Sequence, residues 1–378
     1  MSDVNIIYKG ESIATMDATG EKTLKVKKTI PTDNIKIQYI KPQGGGSEET
    51  FTDDENNLHL WITLGEGRLS PYLGLNLRNG NVIVDWGDGS DPETVYSTGS
   101  LRQYIGHEYD ASGDYEIIVS LEDEFGKCYI PQPHLGTDSI ILTDGNGGTA
   151  SKYYLSCISK VSVGKRFYID YCSFNGCTGL KAVNLIPHND PLYVDKIPQM
   201  AFYGCLSLSN INIPSGFSGI DQNAFQNCKS ITDITLPDTL EYIEYSAFQD
   251  CTALQYIEIP DNVISIGSGL FNGCTSLKEA TLPPLISTID SYTFNNCTSL
   301  QYISIPDSVG IIDSRAFYSC TSLGIIRFEG VYPPVISNAN AFSNLPTDCI
   351  IQIPDGSFDA YRVATNYPSP NTYVYEEV

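Results

Sequence analysis

The chain has 378 residues, more than the ~250 to 300 at which a single hydrophobic core stops growing, so two or three domains are expected. Only 22 lysines and arginines stand against 45 aspartates and glutamates, and a formal net charge of −23 argues against nucleic acid as a partner. Few Met (3) beside many Tyr (25), Gly (32) and Pro (21) indicate strands joined by turns, and no window approaches the ~20 apolar residues that insert in a membrane.

The start, Met1-Ser2-Asp3-Val4-Asn5, lacks the charged and apolar regions of a secretory signal, so either a signal has been removed or none is used. From Val4 to Gly10, through Ala18-Thr19-Gly20-Glu21-Lys22-Thr23-Leu24, to Ile35-Lys36-Ile37-Gln38-Tyr39, the front reads as three short strands, ended by Pro42 and Gly44 to Gly46. Residues 1–43 are therefore expected to be a small β attachment module, followed by a linker over 44–57. The pattern resembles N-terminal segments of tail and other virion-surface proteins of phages that infect Gram-positive hosts. That resemblance implies attachment of residues 1–43 to other virion structural proteins.

Over 58–127, Val82-Ile83-Val84-Asp85-Trp86-Gly87-Asp88-Gly89-Ser90 precedes His107-Glu108-Tyr109 and Gly113-Asp114-Tyr115-Glu116-Ile117-Ile118-Val119, alternating segments on either side of a Gly-Asp-Gly turn. The set resembles the polycystic-kidney-disease (PKD) domain, which implies an Ig-like β-sandwich serving as spacer or as a carbohydrate or protein contact. Asp85, Asp88 and Asp91 miss the spacing of a calcium loop and are read as turn formers, and Trp86 as sandwich core rather than a sugar platform.

After a connector and N-terminal cap over 128–156 comes a repeat. Cys205, Cys228, Cys251, Cys274, Cys297 and Cys320 follow one another at 23-residue steps, each preceded three residues earlier by Phe202, Phe225, Phe248, Phe271, Phe294 or Phe317. Leu208, Ile231, Leu254, Leu277, Leu300 and Leu323 follow, and Pro214, Pro237, Pro260, Pro283 and Pro306 end the apolar run. Imperfect copies at Phe174 with Cys177 and at Phe342 with Leu345 extend the array to about eight units over 157–354, the signature of a solenoid. Within one unit, Ile257 and Ile259 alternate with Glu258 as a half-buried strand requires, and Ile243, Ala247 and Phe248 return the chain to the interior. Stacked coils then place Phe, Cys and Leu in internal columns. Each cysteine has two equivalent neighbours and no distinguished disulfide partner, and paired Cys-x-x-Cys zinc spacing is absent, so a column of buried thiols is expected.

Ile305-Pro306-Asp307-Ser308-Val309, continued through Ile312, Ala316, Phe317, Cys320 and Leu323, resembles the BspA-like leucine-rich repeat family. That resemblance implies surface-exposed adhesion or protein binding without catalysis. The tail from Ile353-Pro354-Asp355 to Tyr361 resembles the closing segment of such proteins, making 355–378 a C-terminal cap. The fold class is mainly β: a leucine-rich repeat solenoid behind an Ig-like sandwich and a small N-terminal β module.

His59, His107, His134 and His188 neighbour no serine or cysteine nucleophile in sequence, and no nucleophile elbow, phosphate loop or His-Glu-x-x-His appears, so neither an enzyme nor a cofactor or metal is expected. Stacked strands build a continuous sheet whose outward positions offer a binding surface. Asn210, Asp233, Tyr256, Glu279 and Tyr302 form one such column, and Asn212, Thr235, Glu258, Thr281 and Ser304 the next. Tyr256 and Tyr302 lead because tyrosine gives a large, stiff contact with a polar tip. The reading that follows is a non-enzymatic virion-surface protein touching a protein or glycan of the host surface; its alternative is a bacterial cell-surface adhesin. The sequence marks no oligomer interface and leaves a homo-oligomer open.

Overall fold

The computed structural model describes residues 4–8, 11–16, 35–39, 51, 55–66, 69–98, 103–122, 127–130, 141–143, 152–188, 194–369 and 373–378. Residues 18–24, Pro42, Gly44 to Gly46 and His134 lie outside them. The chain divides into two compact units, residues 1–51 with Val378 and residues 52–377. In the first, β1 (Val4–Tyr8) runs antiparallel to both β2 (Glu11–Met16) and β3 (Ile35–Tyr39) in a three-stranded sheet.

The second unit opens with a β-sandwich. One of its sheets holds β4 (Leu58–Leu64), β6 (Val82–Asp85), β7 (Glu93–Val95) and β9 (Gly113–Leu121). The other holds β5 (Tyr72–Asn79), β8 (Gln103–Gly106), β10 (Lys127–Tyr129) and β11 (Leu142–Thr143). Period-2 alternation turns Leu58, Leu60, Ile62 and Leu64 of β4 inward against Leu73, Leu75 and Leu77 of β5. Trp86 is buried among them, and Tyr109 donates its hydroxyl to the Trp86 carbonyl at 2.9 Å. The turn after Trp86 is closed by carboxylates: Asp85 accepts from the Gly87 N–H at 2.9 Å, and Asp88 accepts from the Ser90 N–H at 3.0 Å. Burial works to raise the Asp88 carboxyl, but hydrogen bonds from Ser90 and His107 outweigh it and bring it down to about 2.

The solenoid follows α1 (Lys152–Cys157). Its front rungs are β12 (Ile158–Val163), β14 (Ala182–Leu185) and β16 (Asn210–Asn212), then a single bridge from Asp233 to Tyr256. They continue through β19 (Tyr256–Glu258), β21 (Glu279–Thr281), β23 (Tyr302–Ile305), β25 (Ile325–Phe328), β27 (Ile350–Ile353) and β28 (Val374–Glu377), all parallel. Short return strands lie between them in sequence: β13 (Phe167–Tyr168), β15 (Lys196–Ile197), β17 (Gly219–Ile220), β18 (Tyr242–Ile243), β20 (Ser265–Ile266), β22 (Thr288–Ile289), β24 (Ile311–Ile312) and β26 (Val335–Ile336). Both sandwich sheets run on into the solenoid: β4 pairs antiparallel with β12, and β10 pairs parallel with β13. An open first coil would expose a row of unpaired main-chain groups, and the sandwich covers it.

Inside, the periodic residues stack as columns. Consecutive rings from Phe174 to Phe342 lie stacked 5.3 to 6.0 Å apart, with planes 2 to 27° from parallel, as at Phe202 and Phe225, 5.4 Å and 4°. Beside them runs the column of ladder thiols, and all eleven cysteines of the chain are buried, none of them in a disulfide. The thiols do more than fill space. Cys228 donates to the Phe202 carbonyl at 3.1 Å, Cys251 to Phe225 at 3.2 Å and Cys274 to Phe248 at 3.1 Å, so each ladder thiol ties its coil to the one before. Main-chain bonds tie it to the one after, as from the Phe225 N–H to the Ala247 carbonyl at 2.8 Å.

At the far end α2 (Phe358–Val363) and β28 close the stack. Tyr361 is fully buried, packs 5.2 Å from Phe328 and donates its hydroxyl to the buried Gly330 carbonyl at 2.7 Å. Tyr361→Phe strands that carbonyl without its donor and should lower unfolding free energy by about 1–3 kcal/mol in a denaturant melt; an unchanged midpoint would deny the contact any part in closing the cap.

Candidate functional site: the outward sheet face

Parallel pairing without register shift puts residues 23 apart side by side, about 4.8 Å between rungs. Asp233 bridges Tyr256, Tyr256 pairs with Glu279, and Glu279 with Tyr302. These four predicted residues therefore form one column, with Asp233 exposed and the other three half-buried. Glu258, exposed on β19, sits in the next column opposite Thr281. Asn210, exposed on β16, pairs with Ala182 of the preceding rung in a separate stretch of sheet. The structure thus brings together Asp233, Tyr256, Glu258, Glu279 and Tyr302, and leaves Asn210 beside a different set.

The face changes character along its length. Toward the sandwich it is amide-rich: Asn212 donates to Asn184 at 3.2 Å, and Asn184 to Ser162 at 3.2 Å. There the Lys160 ammonium lies 4.3 Å from the centre of the Trp61 ring on the adjoining strand β4. In the middle it is acidic and aromatic. Past Tyr302 the same column continues as Ile325, Ile350 and Val374, an apolar strip of which Val374 is 55% exposed.

A further column lies one residue before each strand, where sequence reasoning placed nothing. Main-chain bonds stack Gln255, Lys278, Gln301 and Gly324: Lys278 N–H to Gln255 at 2.9 Å, Gln301 to Lys278 at 3.0 Å, Gly324 to Gln301 at 2.9 Å. Lys278 reaches back over the preceding rung, its ammonium 5.5 Å from the centre of the Tyr256 ring and donating to Gln255 Oε1 at 3.1 Å. Extending the 23-residue register one position beyond the strand would have found it.

The described histidines are engaged in packing contacts. His59 Nδ1 meets Glu116 at 2.8 Å. His107 stacks on Trp86 at 4.7 Å and bonds Asp88 at 2.7 Å. His188 is held between the Asp195 carboxylate and the Phe167 carbonyl, with Tyr168 stacked on its ring at 4.0 Å. Among the described residues no three His, Cys, Asp or Glu side chains converge as metal ligands, and no helix is long and apolar enough to cross a membrane.

Three overlapping segments, residues 150–260, 195–324 and 243–357, match the BspA type leucine rich repeat region, in 6 copies. Together they span residues 150–357, more than half of the chain, and the protein belongs to this family. No curated protein matches the chain. Among solved structures, a leucine rich repeat protein of T. pallidum is similar at 30% identity over 44% of this chain and 72% of that one, with a TM-score of 0.37. A leucine rich cell surface protein of Faecalibacterium prausnitzii is similar at 19% identity over 56% and 87%, TM-score 0.32. The pneumococcal vaccine antigen PcpA is similar at 15% identity over 59% and 78%, TM-score 0.33.

Proposed function

We propose that the protein is a non-enzymatic bacterial cell-surface adhesin whose repeats bind a protein or glycan through the outward sheet face. The observation that carries this is the register of Asp233, Tyr256, Glu279 and Tyr302, which lines aromatic and acidic side chains along one column of a rigid stack. Rigid aromatic groups on preorganised strands lose little entropy on contact, which favours binding. Family membership over residues 150–357, with the surface adhesion it implies, favours the bacterial surface over a virion. The virion reading rests on residues 1–43, most of which lie outside the described residues. On this reading the sandwich is a spacer, one of the roles the PKD resemblance implies, and it also covers the first coil of the stack.

The test is an array of extracellular proteins and glycans probed with the wild-type chain and with Tyr256→Ala/Tyr302→Ala. A specific hit that the double variant loses by tenfold or more, with its melting temperature kept, supports the face. A hit retained at full strength moves the binding surface elsewhere.

A further inference from the structure

The two outward tyrosines sit in the same frame but carry different neighbours. Lys278 follows Tyr256 by 22 residues, and the residue that follows Tyr302 by 22 is Gly324. Where the coil above Tyr256 lays an ammonium on the ring, the coil above Tyr302 has no side chain at the equivalent position. The backbone does not demand this glycine. Gly324 is not among the positive-φ glycines, and a Cβ built on it meets nothing nearer than the Gln301 carbonyl at 3.6 Å. Position 324 could therefore carry a side chain without a clash, yet it holds none where the equivalent position beside Tyr256 holds Lys278.

Its surroundings suit a cation from outside. Glu279 is the partner of Tyr302 on the preceding rung, and Glu258 lies a rung further back. An aromatic face next to carboxylates attracts an ammonium or guanidinium by its quadrupole and by charge together. A net charge of −23 draws basic partners toward the whole molecule. Just beyond the ring, half-buried Ile325 and Ile350 extend the column as an apolar strip.

Resting on the reading of this face as the binding surface, the geometry points to a cation seat formed by Tyr302, Glu279 and the gap at Gly324. Its occupant is a lysine or arginine side chain of a partner polypeptide, whose neighbouring apolar side chains cover Ile325 and Ile350. Tyr256 with Lys278 is the same seat filled from within the chain, so the two coils together contain an occupied and a vacant copy.

The probe is a fluorescent synthetic dodecapeptide of lysine, leucine and glycine, paired with a twin in which norleucine replaces each lysine. Anisotropy should show the lysine peptide binding at least tenfold tighter than its twin, with affinity falling as salt rises. Gly324→Lys should lay a lysine on Tyr302 and weaken binding about tenfold. Lys278→Gly should open the second seat and strengthen binding several-fold; Tyr302→Phe should keep most of the affinity, and Tyr302→Ala should not. Equal binding of the two peptides, or no measurable binding of either, overturns the seat. So does Gly324→Lys binding as wild type; if that variant melts early, Lys278→Gly and Tyr302→Ala decide instead. An array hit lost in Tyr256→Ala/Tyr302→Ala but untouched by Gly324→Lys would keep the face and discard the seat, whereas indifference to all of them discards both.

Discussion

Raising the pH from 8 to 10 under reducing conditions is expected to destabilise the repeat array strongly. Burial raises the thiols of Cys205, Cys228, Cys251, Cys274, Cys297 and Cys320 above the ordinary value of 9.0, in Cys251 to about 12. The folded chain keeps these protons while the unfolded chain releases them above about pH 9, so the native state binds more protons there. The stability they contribute is therefore whole below pH 9 and lost as pH rises toward the folded values. Each thiol withdraws about 1.4 kcal/mol per pH unit, and six acting together about 8 kcal/mol, against a total of order 5–15 kcal/mol for a folded domain. Urea midpoints between pH 7 and 10 measure this directly. Cys251→Ala should flatten the alkaline slope by about one proton, and a midpoint that holds steady to pH 10 would mean the thiols are not enclosed.

Phe248→Ala, like truncation of any ring in the inner column, should be strongly damaging. Its ring lies 5.4 Å from Phe225 and 6.0 Å from Phe271, fully buried, and removing such a ring costs about 3–5 kcal/mol in transfer and cavity terms. In a stack where each coil touches only its neighbours, the loss weakens two interfaces at once. Tyr256→Ala, eight residues on but outward, half-buried and under Lys278, should cost less, about 1 kcal/mol. Denaturant melts of the two variants separate these expectations; equal losses would contradict the assignment of inner and outer columns.

The columns were legible because stacking forces every coil to repeat the same inward residues, so a 23-residue period in Phe and Cys is a direct imprint of packing. Other features left no such imprint. A cysteine repeated in an apolar frame reads as a small hydrophobe, because its acceptor is a main-chain carbonyl that residue type does not reveal; the Cys251 bond to Phe225 needed coordinates. The join of β4 to β12 pairs residues about a hundred apart, as Trp61 with Lys160, and follows no period. At the site, the Tyr256 and Tyr302 column was readable from strand alternation, while Lys278 and Gly324 stand one residue before their strands, where alternation assigns no role. Asn210 kept its place in the 23-residue count, yet the regular ladder is interrupted between β16 and β19, which counting alone does not register.

The most direct test of binding through the outward sheet face is amide hydrogen exchange on the chain with a partner bound. Protection should concentrate on residues 255–258, 278–281, 301–305 and 324–327 and leave the return strands at 242–243, 265–266 and 288–289 unchanged. Protection confined to those return strands, or to the sandwich, would contradict it.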